Sequence, residues 1–303
     1  MTSSAPRFVE TYAETVSPTL RLRARHAALW ALYFADALSG RARRNLTRPR
    51  VQVLNLHSVF PDEEDGFRHL LRALLHRHTF LPYGEAVARL TSGPIDKPFV
   101  AFTFDDGLET SLRAASILEE FGARACFFVC PSIVGEREQD QIARFCRDNL
   151  HTPPMRFLSW DDLENLRARG HEIGSHTSTH ANLAAASEER MRAEIHGSRE
   201  QLMARLGSAD HFAWPYGRFE HFSPAAAREV FRAGYSSCAS AERGCHVTPS
   251  LRPAPDLCLR RDLVVGGWPA EHNLYFVSAS AARASASTNE WPESWRALWR
   301  DGP

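Results

Sequence analysis

The chain has 303 residues, 44 % of them apolar and 24 % charged, which is ordinary for a soluble protein with a sizeable core. Lys+Arg and Asp+Glu are both 36, so charge gives no reason to expect nucleic acid or another polyanion as partner. Six cysteines in a chain of this length do not make a disulfide scaffold and show no paired metal spacing. They are expected to be ordinary reduced thiols.

The first 20 residues are polar and lack a secretory signal pattern, so a cytoplasmic location is expected, with the inner membrane face as a variant of it. The apolar stretch His26–Leu38 contains Asp36 and is too short to span a bilayer. Arg21, Arg23 and Arg25 precede it, and Arg41, Arg43 and Arg44 follow. It reads as a surface helix packed on the core, or as an amphipathic helix in peripheral contact with an anionic membrane. From about residue 50, short apolar runs alternate with helical patterns, which indicates an α/β protein with a mainly parallel sheet. Val51–Leu56 is the first predicted strand and ends at His57. Glu63, Glu64 and Asp65 beyond it read as a solvated loop.

Phe99–Phe104 is the second strand and ends at Asp105-Asp106-Gly107. Leu108, Leu112, Ala115, Leu118 and Phe121 then recur at helical spacing, with Gly122 as the stop. Ala125–Val129 is a further strand. Ser159 and Asp162 resemble a capping box for a helix ending at Gly170, and a short strand, His171–Gly174, leads into Ser175-His176. Ser187 should cap a long helix running to Leu206, with Gly207 as its stop. His211–Trp214 reads as a strand ending at Pro215-Tyr216-Gly217, followed by a helix over Pro224–Ala233 and strands near Tyr235–Ala239 and Leu259–Val265. After about Ala279 the chain is Ala/Ser-rich, then Trp-rich at Trp291, Trp295 and Trp299, which suggests a helix outside the core.

His57, Asp105, Asp106, His176 and Tyr216 all fall at the C-terminal ends of predicted strands, the face that carries active sites in α/β folds. Two adjacent carboxylates closing an apolar strand need partners, because burying an uncompensated charge costs several kcal/mol. An Asp cap for the next helix would explain one of them and not both. His176 and His180, at i and i+4, present two imidazoles on one face if the segment turns helically. Two imidazoles and one carboxylate make an open metal site, with positions left for water and substrate. A divalent ion is expected, zinc first, with cobalt, nickel, iron or manganese also compatible. His151, His211, His221 and His246 show no partner pattern and are expected at the surface.

Thr103-Phe104-Asp105-Asp106-Gly107, His176-Thr-Ser-Thr-His180 and Trp214-Pro215-Tyr216-Gly217, in that order, resemble the first three motifs of the polysaccharide deacetylase family, the NodB-like enzymes of carbohydrate esterase family 4. The resemblance covers about residues 50–280. It implies a distorted (β/α) barrel of about seven parallel strands over residues 49–280, with an N-terminal helical extension over 1–48 and a tail over 281–303. It also implies metal-dependent hydrolysis of an N-acetyl group on an amino sugar, within a polysaccharide or a lipid-linked precursor. By that match Asp105 is the base, Asp106, His176 and His180 hold the metal, and the Tyr216 backbone N–H supports the oxyanion. Other outcomes on the same scaffold are a deformylase or small-amide hydrolase, or a non-catalytic carbohydrate-binding protein.

Two departures from the family pattern stand out. The Arg that commonly precedes the Pro-Tyr motif is absent, and Arg261 is the substitute candidate, against a surface Arg paired with Asp262. The late Leu-X-His that supplies the acid is also missing. His57 resembles the early His used for that role in the poly-N-acetylglucosamine branch, and His272, read as a loop residue, is the alternative. Trp214 and Trp268 are candidate sugar platforms, with core packing as the competing role.

Overall fold

Every residue of Arg50–Leu56 (β1) is buried, yet its side chains divide between two cores. Strand side chains alternate in direction. Val51 and Val53 accordingly join an inner cluster, while Leu54 and Leu56 join an outer one. The same sorting holds in Pro98–Phe104 (β3), where Phe99 and Ala101 point inward and Val100, Phe102 and Phe104 outward. In Ala125–Val129 (β4), Cys126 and Phe128 point inward and the other three outward. A continuous apolar run with both faces buried is what a parallel barrel surrounded by helices requires. The computed structural model describes residues 6–17, 19–249 and 257–295.

The remaining strands are Thr79–Phe80 (β2), Glu172–Ser175 (β5), His211–Ala213 (β6), Ser237–Ala239 (β7), Cys258–Leu259 (β8) and Arg261–Leu263 (β9). Their order is β8-β7-β6-β5-β4-β3-β1-β9, with β2 beside β3, and every pairing is parallel. Only Arg260 separates β8, which pairs with β7, from β9, which pairs with β1. These two short strands are successive halves of one bent segment, and their bend nearly closes the sheet into a barrel. Counted this way, the ring has the seven positions expected for the distorted barrel.

The helix Tyr83–Thr91 plugs the end of the barrel opposite the strand C-termini. Its Tyr83, Ala86, Val87 and Leu90 pack with Val51, Phe99 and Phe128 in the inner cluster. The outer cluster is completed by helices whose ends follow from sequence. Ser159 and Asp162 form the reciprocal capping box, Ser187 accepts from the Arg190 N–H, and Gly207 ends its helix with a left-handed φ of 73°.

Four expectations need correction. Glu63 is buried rather than solvated, and accepts from the Phe60 and Gly267 N–H groups, while Glu64 opens the helix Glu64–Leu75 and pairs with Arg68 and Arg113. Trp291 lies inside the outer cluster and Trp295 packs against it, so this part of the tail belongs to the core; Trp299 falls outside the described residues. His246 is fully buried and accepts from the Arg260 N–H. The N-terminal helix starts earlier than expected, at Leu20, because Thr19 caps it. All six cysteines are free and buried.

Candidate active site

The alternation that builds the barrel also aims the site. Asn55 and His57 continue the inward series of Val51 and Val53, and Thr103 and Asp105 continue that of Phe99 and Ala101. All except Thr103 line a cleft of about 340 Å³ at the strand C-termini, with Asp106, His176, His180 and Tyr216. Leu150, Thr152, Gly217, Arg218, Ala241, Arg243 and Leu263 complete the lining. A cleft of this volume is within the usual range of small-ligand sites.

Asp105 is buried and its carboxylate is held by three hydrogen bonds. Arg261 donates to both of its oxygens, from Nη1 at 2.7 Å and from Nη2 at 2.9 Å, and Asn55 Nδ2 donates at 2.9 Å. Arg261 is itself fully buried and anchored on the Ser240 carbonyl at 2.6 Å. Burial alone would raise the Asp105 carboxyl. The positive charge of Arg261, together with His176 and the paired hydrogen bonds, overcomes that effect and holds the group well below the usual carboxylate range. The alternative reading of Arg261, a surface residue paired with Asp262, is excluded. Asp262 points to the other side of its strand, where it accepts from Gln52, Ser280 and Arg243.

By alternation alone Asp106 would turn away from the barrel axis. Its φ of 72° brings it back towards the cleft, and Gly107 continues the turn at the same angle, where an added Cβ would stand 3.1 Å from Val129 Cγ1. Thr177, His180, Tyr216 and His151 also have left-handed φ values, between 56° and 64°. Non-glycine residues pay about 1–3 kcal/mol each for such conformations. In this chain every one of them among the described residues lies at or beside the cleft, and His151 stacks on Tyr216 with ring centres 6.2 Å apart.

His176 Nδ1 lies 2.8 Å from the Ala213 carbonyl, and His180 Nδ1 lies 2.8 Å from the Asn149 carbonyl. A carbonyl can only accept, so each Nδ1 donates and each neutral ring keeps a lone pair on Nε2. Both Nε2 atoms face Asp106 Oδ1, at 3.5 Å and 3.4 Å. That oxygen is buried with no hydrogen-bond partner among the described residues. Burial pushes His176 down to about 4, which keeps it in the neutral form that is able to ligate a metal. Three lone-pair donors within 4.8 Å of one another, unsatisfied by the protein, are a donor set that fits a divalent metal.

Other sequence-based candidates lie elsewhere. Trp214 offers no face to a sugar, because it is fully buried and stacked on Phe222 at 4.3 Å and on Trp291 at 5.8 Å. Trp268 is outside the cleft lining; its Nε1 donates to Tyr12, and Arg25 and His26 cover the ring. His272 is neither a loop residue nor in the cleft. It is buried in the helix Ala270–Arg283 and hydrogen-bonded to His26 at 2.9 Å. His57 is exposed and lines the cleft. Two contributors went unnoticed in the sequence. Asn55 was detectable, since it precedes His57 by two on the same strand face. The Asn149 carbonyl was not, because a backbone atom carries no residue-type signal. It sits in the π-helical turn Cys146–Leu150 and accepts from both His180 and the Tyr216 hydroxyl.

Comparison with known proteins agrees with this arrangement. Residues 92–235 match the polysaccharide deacetylase family model. The chain is 32 % identical over 146 residues to a peptidoglycan-N-acetylglucosamine deacetylase of Bacillus cereus, a match covering 46 % of this chain and 45 % of that protein. The chain thus spans less than half the length of the curated relatives it matches. The fold is similar to that of the Streptococcus pyogenes deacetylase PplD in complex with acetate, with a TM-score of 0.60 and 18 % identity, covering 75 % of this chain and 98 % of that one. It is also similar to IcaB from Ammonifex degensii, with a TM-score of 0.57 and 21 % identity, covering 77 % and 97 % respectively. Residues 92–235, which carry all three motifs, are thus similar to the polysaccharide deacetylase family, and the barrel around them has the fold of solved deacetylases.

Proposed function

We propose that this protein is a metal-dependent hydrolase that removes N-acetyl groups from amino sugars of a glycan or of a lipid-linked glycan precursor. The observation that carries the reading is the juxtaposition, in one cleft, of an ionised carboxylate held by Arg261 and a separate three-ligand set that fits a metal. The peptidoglycan N-acetylglucosamine deacetylase of B. cereus supports an N-acetylhexosamine as the substrate unit. Asp106, His176 and His180 would hold the ion, with zinc the first choice for a site of two imidazoles and one carboxylate. When bound, such an ion supplies Lewis acidity towards the amide carbonyl and lowers the pKa of water.

The side chains divide the remaining work. Asp105 accepts a proton from the attacking water on a carboxylate oxygen, and Arg261 and Asn55 keep that carboxylate ionised and aimed. The Tyr216 N–H supports the negative charge that develops on the carbonyl oxygen. His57, at the exposed side of the cleft, gives a proton to the departing amine as the C–N bond breaks, since an amide anion is a very poor leaving group. The products are acetate and a free amino sugar.

The test is acetate release from acetylated glucosamine oligomers by the purified chain, with added zinc or cobalt and after chelation. Release that needs metal and disappears in Asp105→Asn supports the reading. Stoichiometric metal binding without acetate release, but with formate release from a formamido sugar, would replace it with a deformylase.

A further inference from the structure

The helix Leu20–Leu38 is attached to the body of the protein by one stripe only. Leu29 is buried, Leu22, His26 and Tyr33 are half-buried, and His26 bonds His272 while Tyr33 packs on the outer core. The opposite stripe runs through Leu20, Ala24, Ala27, Ala31, Phe34 and Leu38, at the spacing that aligns side chains on one helical face. All six are exposed and all are apolar, with Leu20 82 %, Phe34 52 % and Leu38 90 % open to solvent. Arg21, Arg23 and Arg25 flank the start of this stripe and Arg41, Arg43 and Arg44 follow its end, all of them exposed. The one acid in the helix, Asp36, is already paired with Arg41.

We infer that this helix is a docking surface for an anionic lipid bilayer, lying in the interface with its bare apolar stripe inserted. No described helix is long and apolar enough to cross a membrane, so the mode is peripheral. An apolar stripe rimmed by arginines complements acyl chains bordered by acidic headgroups. A second copy of the chain complements it poorly. Antiparallel pairing would set the arginines at the start of one helix against those after the end of the other, and the three central positions offer only alanine as knobs.

The helix also lies beside the catalytic cleft. Arg25 is 4.7 Å from the centre of the Trp268 ring, Trp268 packs on Phe276 with ring centres 6.3 Å apart, and Phe276 carries the guanidinium of Arg243, a cleft-lining residue, at 4.4 Å. Docking therefore holds the cleft near the bilayer surface, suited to a glycan carried on a lipid anchor. That consequence for substrate rests on the hydrolase reading above; the docking itself does not.

The test is flotation of the full chain with vesicles of phosphatidylcholine alone and of phosphatidylcholine mixed with phosphatidylglycerol. The chain should float with the mixed vesicles and remain behind with the neutral ones. The triple variant Leu20→Ser, Phe34→Ser, Leu38→Ser should lose roughly a hundredfold in partitioning, because three large apolar side chains no longer leave water. Arg21→Gln with Arg23→Gln should lose about tenfold, and high salt should reproduce that loss. All altered side chains are solvent-exposed, so circular dichroism and metal stoichiometry should not change. Equal partitioning of the triple variant and the parent would overturn the inference, as would absence of binding to mixed vesicles. A concentration-dependent dimer in sedimentation, abolished by the same triple variant, would in that case assign the stripe to a second copy. Vesicle binding reads nothing of hydrolysis, so failure of either proposal leaves the other to its own test.

Discussion

Arg261 grips Asp105 with two nitrogens on two oxygens, across the inside of a barrel where neither side chain has appreciable access to water. Arg261 belongs to β9, the half-strand that helps to close the barrel, and Asp105 follows β3, two positions away in the ring. Barrel closure and the ionisation of the proposed base are therefore one structural event. Arg261→Ala should cost about 3–5 kcal/mol in stability by stranding a buried charge. Arg261→Lys keeps the charge but not the paired geometry, and should recover more stability than activity. Urea unfolding alongside kcat and KM separates the two effects.

The base and the metal ligands should come apart in single substitutions. Asp105→Asn is expected to keep stoichiometric metal while losing roughly 100- to 10,000-fold in kcat, the range for removal of a positioned acid–base group. Asp106→Asn and His180→Ala should lose metal first, read by elemental analysis after dialysis. Full metal retention in both would overturn the ligand assignment.

The proton donor is tested by two histidines with opposite settings. His57→Gln changes an exposed residue in the cleft, so kcat should fall by about 100-fold with stability unchanged. His272→Gln changes a buried residue bonded to His26, so the melting temperature should fall while kcat of the folded fraction stays near the parent value. The reverse pattern would transfer the role to His272.

Trp214→Ala should behave as a core truncation. The indole stacks on Phe222 and Trp291 and donates to the Arg218 carbonyl, so about 3–5 kcal/mol of stability should be lost. KM measured well below the melting temperature should change little. A large rise in KM at full stability would instead restore Trp214 as a substrate contact.

Acid should destabilise the protein over a definite window. Burial, aided by the Arg50 charge, pushes His78 down to about 3, and burial pushes His211 down to about 4. His78 is satisfied as a neutral ring, with Arg50 donating to Nε2 at 2.8 Å and the Leu74 carbonyl 2.8 Å from Nδ1. The unfolded chain takes up these protons near 6.5, whereas the folded chain refuses them until well below that. The stability is therefore fully present above about pH 6.5 and is lost as pH falls towards about 4, by on the order of 3 kcal/mol per histidine. Urea midpoints across that range should fall in the parent and fall less steeply in His78→Gln.

The sequence by itself determined the parallel α/β architecture, because apolar runs without polar alternation leave few other arrangements. It determined the ends of the best-capped helices, because Ser159, Asp162, Ser187 and Gly207 act on backbone groups within a few residues. It also singled out Asp105, Asp106, His176 and His180, whose residue types carry the chemistry and whose positions follow strand ends. Only the tertiary structure decided which distant groups complete them. Arg261 and Asn55 reach Asp105 across 156 and 50 residues of chain, and His180 is oriented by a backbone carbonyl that no residue type announces. The same holds for the aromatics. Trp214 and Trp268 look alike as sugar platforms in a linear sequence, since burial is a property of what packs around a side chain and not of the side chain itself. Three-dimensional packing placed Trp214 in the core and Trp268 under the N-terminal segment.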